Sequence, residues 1–218
     1  MKLFIVRHGI TDWNSDGRYQ GQQDVPLNEA GLEQARRLSK RMAGETINAV
    51  YASDLERARQ TAAEIAAFHT LPVTADARLR EICFGRWEGR YFDEIAENDA
   101  ETMSAWRARD NPDFYVPGGE TITQVASRVK SFLDDLKKKN PGDTVVIVSH
   151  GGAASVLLCL LMGMPPIRYW QFHLYQATLT EISLKAGSVR MNYFNNSCHL
   201  IEKNKSEETS RGSGDETL

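Results

Sequence analysis

The feature that most constrains this chain is Leu3-Phe4-Ile5-Val6, an unbroken apolar run that ends at Arg7-His8-Gly9. Four consecutive apolar side chains do not suit a strand with one wet face. The run therefore predicts a strand buried on both sides, as in a parallel sheet. Open α/β sheets bind ligands beyond the carboxyl ends of such strands. Arg7 and His8 are aimed at that crevice, and Gly9 is expected to let the backbone come close to its occupant. Alone, the tripeptide equally describes a strand that turns polar as it surfaces.

A second stretch breaks the tie. Thr144 to Val148 has the same character and runs into Ser149-His150-Gly151-Gly152 and then an apolar helix through Leu161. Two histidines are thus delivered to the carboxyl ends of buried strands. Between these stretches, Pro26-Leu27-Asn28 opens a helix with Asn28 as N-cap and a stripe of Leu32, Ala35, Leu38 and Met42. Ile47 to Ala52 predicts a strand, followed by a helix capped by Ser53 or Asp54 and striped by Leu55, Ala58, Ala62 and Ile65. Arg57 and Arg59 fall near its first turn, where the helix dipole favours anions. They fit either an anion in the crevice or surface pairing with Asp54 and Glu56.

Pro72-Val73-Thr74 predicts a short strand, and Phe84 to Gly89 a glycine-bracketed aromatic turn. Residues 90–116 read as a helical insertion over the sheet end. Thr121 starts a long helix with the stripe Ile122, Val125, Val129, Phe132 and Leu136, stopped by Asn140-Pro141-Gly142. Two late strands, Leu179 to Leu184 and Val189 to Phe194, predict a hairpin at a sheet edge. Residues 10 to 24 read as a polar loop without regular structure. The expected architecture is α/β: a three-layer α/β/α sandwich with a mainly parallel central sheet. One domain spans 1–201, and the polar stretch 202–218 is expected to be a disordered tail.

Composition removes several function classes. The chain has 218 residues, 41% hydrophobic and 25% charged, with a net charge of −3; nucleic-acid binding normally shows as a basic domain, so no nucleic-acid partner is expected. No window approaches the ~18 apolar residues of a membrane span, so no membrane partner is expected either. Cys83, Cys159 and Cys198 have no zinc-ligand spacing. Their scatter and the lack of a leader-like segment predict a reducing, cytoplasmic setting.

The strand ends and helix starts deliver Arg7, His8, Arg57, Glu81 and His150. Two guanidiniums and two imidazoles suit a dianionic phosphate, since arginine presents planar paired donors to its oxygens. A metal site would want carboxylates or thiolates instead, and none is expected. A histidine neutral at one nitrogen can attack phosphorus and carry the phosphoryl group covalently. Glu81 is the acid placed to protonate a leaving alkoxide.

These residues carry a resemblance. Arg7 to Asn14 is similar to the RHGxTxxN opening of the histidine phosphatase superfamily, in the branch with the phosphoglycerate mutases. Pro26 to Gly31, Ser53 to Ala62, Gly118 to Thr121 and Ser149 to Gly152 match further motifs in order, over roughly residues 1 to 200. The resemblance implies His8 as the phosphorylated nucleophile, Arg7, Arg57 and His150 as the phosphate pocket, and Glu81 as proton donor. It also implies Asn14 as a phosphate ligand, with Gln20 and Gly21 at the substrate mouth and Gly151 beside them, and no metal or other cofactor. Leu79 to Gly89 looks like the phosphatase pattern LxExxxGxWEG rather than the mutase segment. The end, Asn195 to Leu200, is similar to α-ribazole phosphatases and phosphoserine phosphatases of this type. The implied activity is hydrolysis of a small phosphate monoester; a phosphoglycerate mutase and a non-catalytic phospho-ligand binder are the alternatives. Oligomeric state stays open, a homodimer included.

Overall fold

A computed structural model describes residues 1–185 and 187–201; the expectation of a disordered tail falls outside them. The strands are β1 (Lys2–Arg7), β2 (Ala49–Ala52), β3 (Val73–Ala75), β4 (Thr144–Ser149), β5 (Leu179–Lys185) and β6 (Ser188–Asn196). They form one sheet in the order β3-β2-β4-β1-β5-β6. The first four strands in that order run parallel, while β5 is antiparallel to β1 and β6 to β5. The expected hairpin is therefore present, with β6 at the edge.

Why β1 needs apolar residues at every position is visible in its packing. Leu3 to Val6 and Val145 to Val148 are all fully buried, and successive side chains of a strand face opposite sides. Leu3, Ile5, Val145 and Ile147 pack with Val125, Val129 and Phe132 of α6 (Ile122–Lys139) and Leu157 of α7 (Gly151–Met162). Phe4, Val6, Val146 and Val148 pack with Leu38 and Met42 of α2 (Glu29–Met42) and Ala58, Ala62 and Ile65 of α3 (Glu56–His69). The molecule is thus the three-layer α/β/α sandwich the sequence predicts.

Helix boundaries follow local chemistry. Asn28 caps α2, its Oδ1 accepting from the Gly31 amide at 2.9 Å. Thr121 and Gln124 form a capping box at the start of α6, a device worth ~1 kcal/mol. Two expectations need correction. Residues 10–24 contain a short helix, α1 (Asp12–Asp16). Thr11 and Asn14 close it by exchanging side chain–backbone bonds of 3.2 Å. The cap of α3 is neither Ser53 nor Asp54: its N-cap is Leu55, and Asp24 accepts from the Glu56 amide at 2.7 Å. Asp54 is held instead by Arg80, at 2.6 and 2.7 Å.

The segment 90–116 contains α4 (Phe92–Asn98) and α5 (Ala100–Ala108). They sit on a small core of their own, built from Trp87, Ile95, Met103 and Val116. The Trp87 indole N–H donates to Asp99 at 2.7 Å, and Arg86 grips the same carboxylate. Gly9 has a different role from the one expected. A Cβ there would come 2.6 Å from the Gly31 carbonyl oxygen, so this glycine allows the end of β1 to touch α2.

Candidate active site

Strands β1 and β4 are neighbours, with Arg7 level with Ser149. The His8 amide donates to the Ser149 carbonyl at 3.0 Å, so His8 and His150 leave the sheet side by side. Their rings meet edge to face with centroids 5.0 Å apart. Arg57 enters from the first turn of α3 and is 1% exposed. Of the two readings for the α3 arginines, Arg57 takes the buried one. Arg59 takes the surface one, 3.8 Å from Glu56.

The hydrogen bonds assign the tautomers. His8 Nδ1 lies 2.7 Å from the Gly9 carbonyl oxygen, so Nδ1 carries the proton and Nε2 keeps a lone pair. Arg57 Nε donates to His8 Nε2 and to His150 Nδ1, each at 3.2 Å. His150 therefore carries its proton on Nε2, which has no partner among the described residues. Burial, followed by Arg57 and Arg7, pushes His8 well below the usual imidazole pKa. Burial, Arg57 and His8 do the same to His150. Both rings are neutral at pH 7. Burial lowers Arg57 to about 10, which leaves it protonated.

Arg57 also spans to the loop above it. Nη1 donates to the Gln23 carbonyl at 2.7 Å and Nη2 to the Gly21 carbonyl at 2.8 Å. Gly21 needs its residue type twice over: φ is +53°, and a Cβ would lie 1.9 Å from the Glu88 carboxylate. Arg7 donates Nη1 to the Leu174 carbonyl at 2.7 Å, while its buried Nε has no partner. Unsatisfied buried donors cost ~1–3 kcal/mol each. Arg7 Nε–H and His150 Nε2–H are two such donors, and together they suit an anion.

Glu81, in the loop beyond Leu79, closes the site against the start of α7. Its Oε1 accepts from the Ile82 and Ala153 amides, at 2.9 and 3.0 Å, and its Oε2 from the Gly152 amide at 3.0 Å. A carboxyl oxygen can accept two bonds, so Oε2 keeps capacity for a transferable proton. A side-chain fork fixes the backbone around it. Arg128 donates to Glu120 through Nε and Nη2, at 2.9 and 3.0 Å. It also reaches the carbonyls of Arg78, Arg80 and Glu81, at 2.7, 2.7 and 3.0 Å. Gln22 Nε2 bridges the Glu81 carbonyl and Glu120, both at 3.1 Å.

Arg7, His8, Asn14, Gln20, Gly21, Arg57, Glu81 and Gly151 share one cavity of about 290 Å³. That is at the small end of ligand pockets, ~300–1,000 Å³. His150 alone among the expected site residues stands behind the wall, fully buried, where its Nδ1 accepts from Arg57 Nε. Asn14 turns its Oδ1 to Thr11. The mouth adds Arg18, Phe92, Arg109, Tyr169, Trp170 and His173, which no motif singles out. Glu120, Arg128 and Gln22 were also unforeseen; Gly118-Gly119-Glu120 marks a motif in the sequence, but nothing local shows that its carboxylate meets Arg128. Among the described residues no cluster of three or more His, Cys, Asp or Glu is placed to hold a metal. No described helix is long and apolar enough to cross a membrane. The three cysteines are free.

The sequence profile of the histidine phosphatase superfamily (branch 1) matches residues 3–197. The chain belongs to that superfamily. It is 34% identical over 202 residues to phosphoserine phosphatase 1 of Hydrogenobacter thermophilus, covering 93% of this chain and 95% of that one. It is 33% identical over 185 residues to a protein of Enterobacter sp. named phosphoglycerate mutase GpmB, covering 84% of each. The crystal structure of the α-ribazole phosphatase from Shigella flexneri superposes with a TM-score of 0.82 at 33% identity, covering 90% of this chain and 96% of that one. The relatives named phosphatases place the chain with the phosphoric monoester hydrolases of this superfamily, and the α/β/α sandwich is the histidine phosphatase fold.

Proposed function

We propose that this histidine phosphatase hydrolyses small-metabolite phosphate monoesters through a phosphohistidine on His8. One observation carries the reading: the Gly9 carbonyl holds the proton on His8 Nδ1, leaving the Nε2 lone pair beside the Arg57 guanidinium. In the first step Nε2 attacks phosphorus and the ester P–O bond breaks. The departing oxygen takes the proton of the Glu81 carboxyl. Arg7, Arg57 and Asn14 supply donors to the transferring oxygens, and His150, behind the wall, holds Arg57 through Nδ1. In the second step the Glu81 carboxylate takes a proton from water. The water oxygen attacks phosphorus, the P–N bond breaks, and inorganic phosphate leaves with His8 and Glu81 restored. No step calls for a metal. Small substrates fit the volume of the cavity, and phosphoserine and α-ribazole 5′-phosphate are the first candidates by likeness to the named relatives.

The test is hydrolysis of 4-nitrophenyl phosphate by the parent and by His8→Ala. The expected loss is at least ~10³-fold, as for removal of a nucleophile, and labelled phosphate should be trapped on the parent as an acid-labile, alkali-stable adduct. Activity of His8→Ala near the parent level overturns the reading. Incubation with 3-phosphoglycerate separates the alternatives: phosphate release supports hydrolysis, and the 2-isomer without phosphate release supports mutation.

A further inference from the structure

The cavity is lined by four guanidiniums, those of Arg7, Arg18, Arg57 and Arg109, against the single carboxylate of Glu81. A phosphate dianion on Arg7 and Arg57 answers two of the four. Arg18 is already occupied, donating to the Tyr91 hydroxyl and lying 3.5 Å from Asp16. Arg109 makes no hydrogen bond or ion pair among the described residues, yet its place is fixed in two ways. It is the first residue beyond α5, with φ of +53°, a left-handed conformation that costs a non-glycine residue ~1 kcal/mol or more. Its guanidinium carbon then lies over the Trp170 ring, 5.4 Å from the centroid. Trp170 is itself on the cavity wall and 40% exposed.

A guanidinium that sits over an aromatic ring and makes no hydrogen bond keeps its N–H groups free, and these match the paired oxygens of a carboxylate or phosphate. From this arrangement, and resting on the phosphatase reading above, we infer that Arg109 on Trp170 forms a subsite for a second anionic group on the leaving-group side of the substrate. The preferred substrates are then phosphate monoesters that also carry a carboxylate or a second phosphate. Esters whose leaving group is neutral or cationic, α-ribazole 5′-phosphate among them, are then poor ones, so of the two first candidates the inference favours phosphoserine. Arg109 acts as a specificity residue and takes no part in bond breaking.

The experiment measures kcat/KM of the purified chain and of Arg109→Ala, Arg109→Lys and Arg109→Glu. The substrates are O-phosphoserine and 3-phosphoglycerate (carboxylate), fructose 1,6-bisphosphate (second phosphate), glycerol 3-phosphate (neutral) and phosphoethanolamine (cationic). The parent should favour at least one anionic class over glycerol 3-phosphate, and the class favoured tells which anion the subsite takes. Arg109→Ala should lower that ratio about ten- to hundred-fold, the range for a charge-assisted hydrogen bond, chiefly through KM. Arg109→Lys should retain part of it, and Arg109→Glu should shift preference toward phosphoethanolamine. A parent with no preference for an anionic leaving group overturns the inference, as does a ratio unmoved in all three variants. Either result leaves the phosphatase reading standing if 4-nitrophenyl phosphate is still cleaved by the parent and spared by His8→Ala.

Discussion

Burying two neutral imidazoles beside two guanidiniums should make the stability of this protein depend on pH near neutrality. His8 and His150 both titrate well below the usual histidine value in the folded chain, through burial first and the neighbouring arginines second. In the unfolded chain each returns to a pKa of ~6.5. Below that value the unfolded state binds protons the folded state refuses. The stabilisation is therefore present above about pH 6.5 and lost as pH falls. Between about pH 7.5 and about pH 5.5 the pair together accounts for at most about 3 kcal/mol. That is a large share of a typical ~5–15 kcal/mol. Asp54 and Asp76, which are lowered in the folded state, lose their stabilisation only in the ordinary carboxylate range near pH 4 or below, outside this window. Urea unfolding followed by tryptophan fluorescence, with the fully buried Trp87 among the reporters, measures the difference. His8→Asn and His150→Asn should each lower the slope, whatever they do to absolute stability, and the remainder includes His173 and His199, which burial also lowers. A flat profile across the window, or a slope unchanged in both variants, refutes the account of two neutral buried rings.

Two further outcomes concern the proton donor. Glu81→Gln should lose ~10²–10⁴-fold in kcat/KM on alkyl phosphates, the span of general acid catalysis, and far less in kcat/KM on 4-nitrophenyl phosphate, whose leaving group departs without a proton; kcat on both should fall through the shared water-activating step, and equal losses in kcat/KM would remove Glu81 from the donor role. Arg128→Gln opens the fork that pins the carbonyls of Arg78, Arg80 and Glu81, so it should show the same leaving-group signature at about ten-fold and add little to Glu81→Gln in the double variant. A change in KM alone, indifferent to the leaving group, would mean that Arg128 only supports the fold.

Much of this could be read from local pattern. The twin apolar runs of β1 and β4 place His8 and His150, because a strand buried on both faces shows itself without knowledge of its neighbours. The stripes of α2, α3 and α6 follow for the same reason. What stayed hidden depends on partners distant in sequence. Leu55 serves as N-cap because Asp24 satisfies the Glu56 amide from another loop. Glu120 and Arg128 matter because the chain returns to residues 78–83, 37 to 50 positions away. The helix α1 went unseen because its cap pairs Thr11 with an asparagine rather than the Glu or Gln of the usual capping box. Arg109 and Trp170 meet across segments that carry no motif.

The suspension of the mouth loop from Arg57 has a consequence for how such a site can change. The guanidinium holds Gly21 and Gln23 by their carbonyl oxygens, groups that every residue type possesses. Apart from Gly21, whose backbone demands glycine, and Gln22, whose side chain also ties the Glu81 carbonyl to Glu120, the side chains of this loop can be exchanged without loosening its attachment to the two histidines. New leaving groups can thus be accommodated at the rim while the distances at phosphorus stay as they are. Chemistry and selectivity meet at one arginine, yet remain separately adjustable.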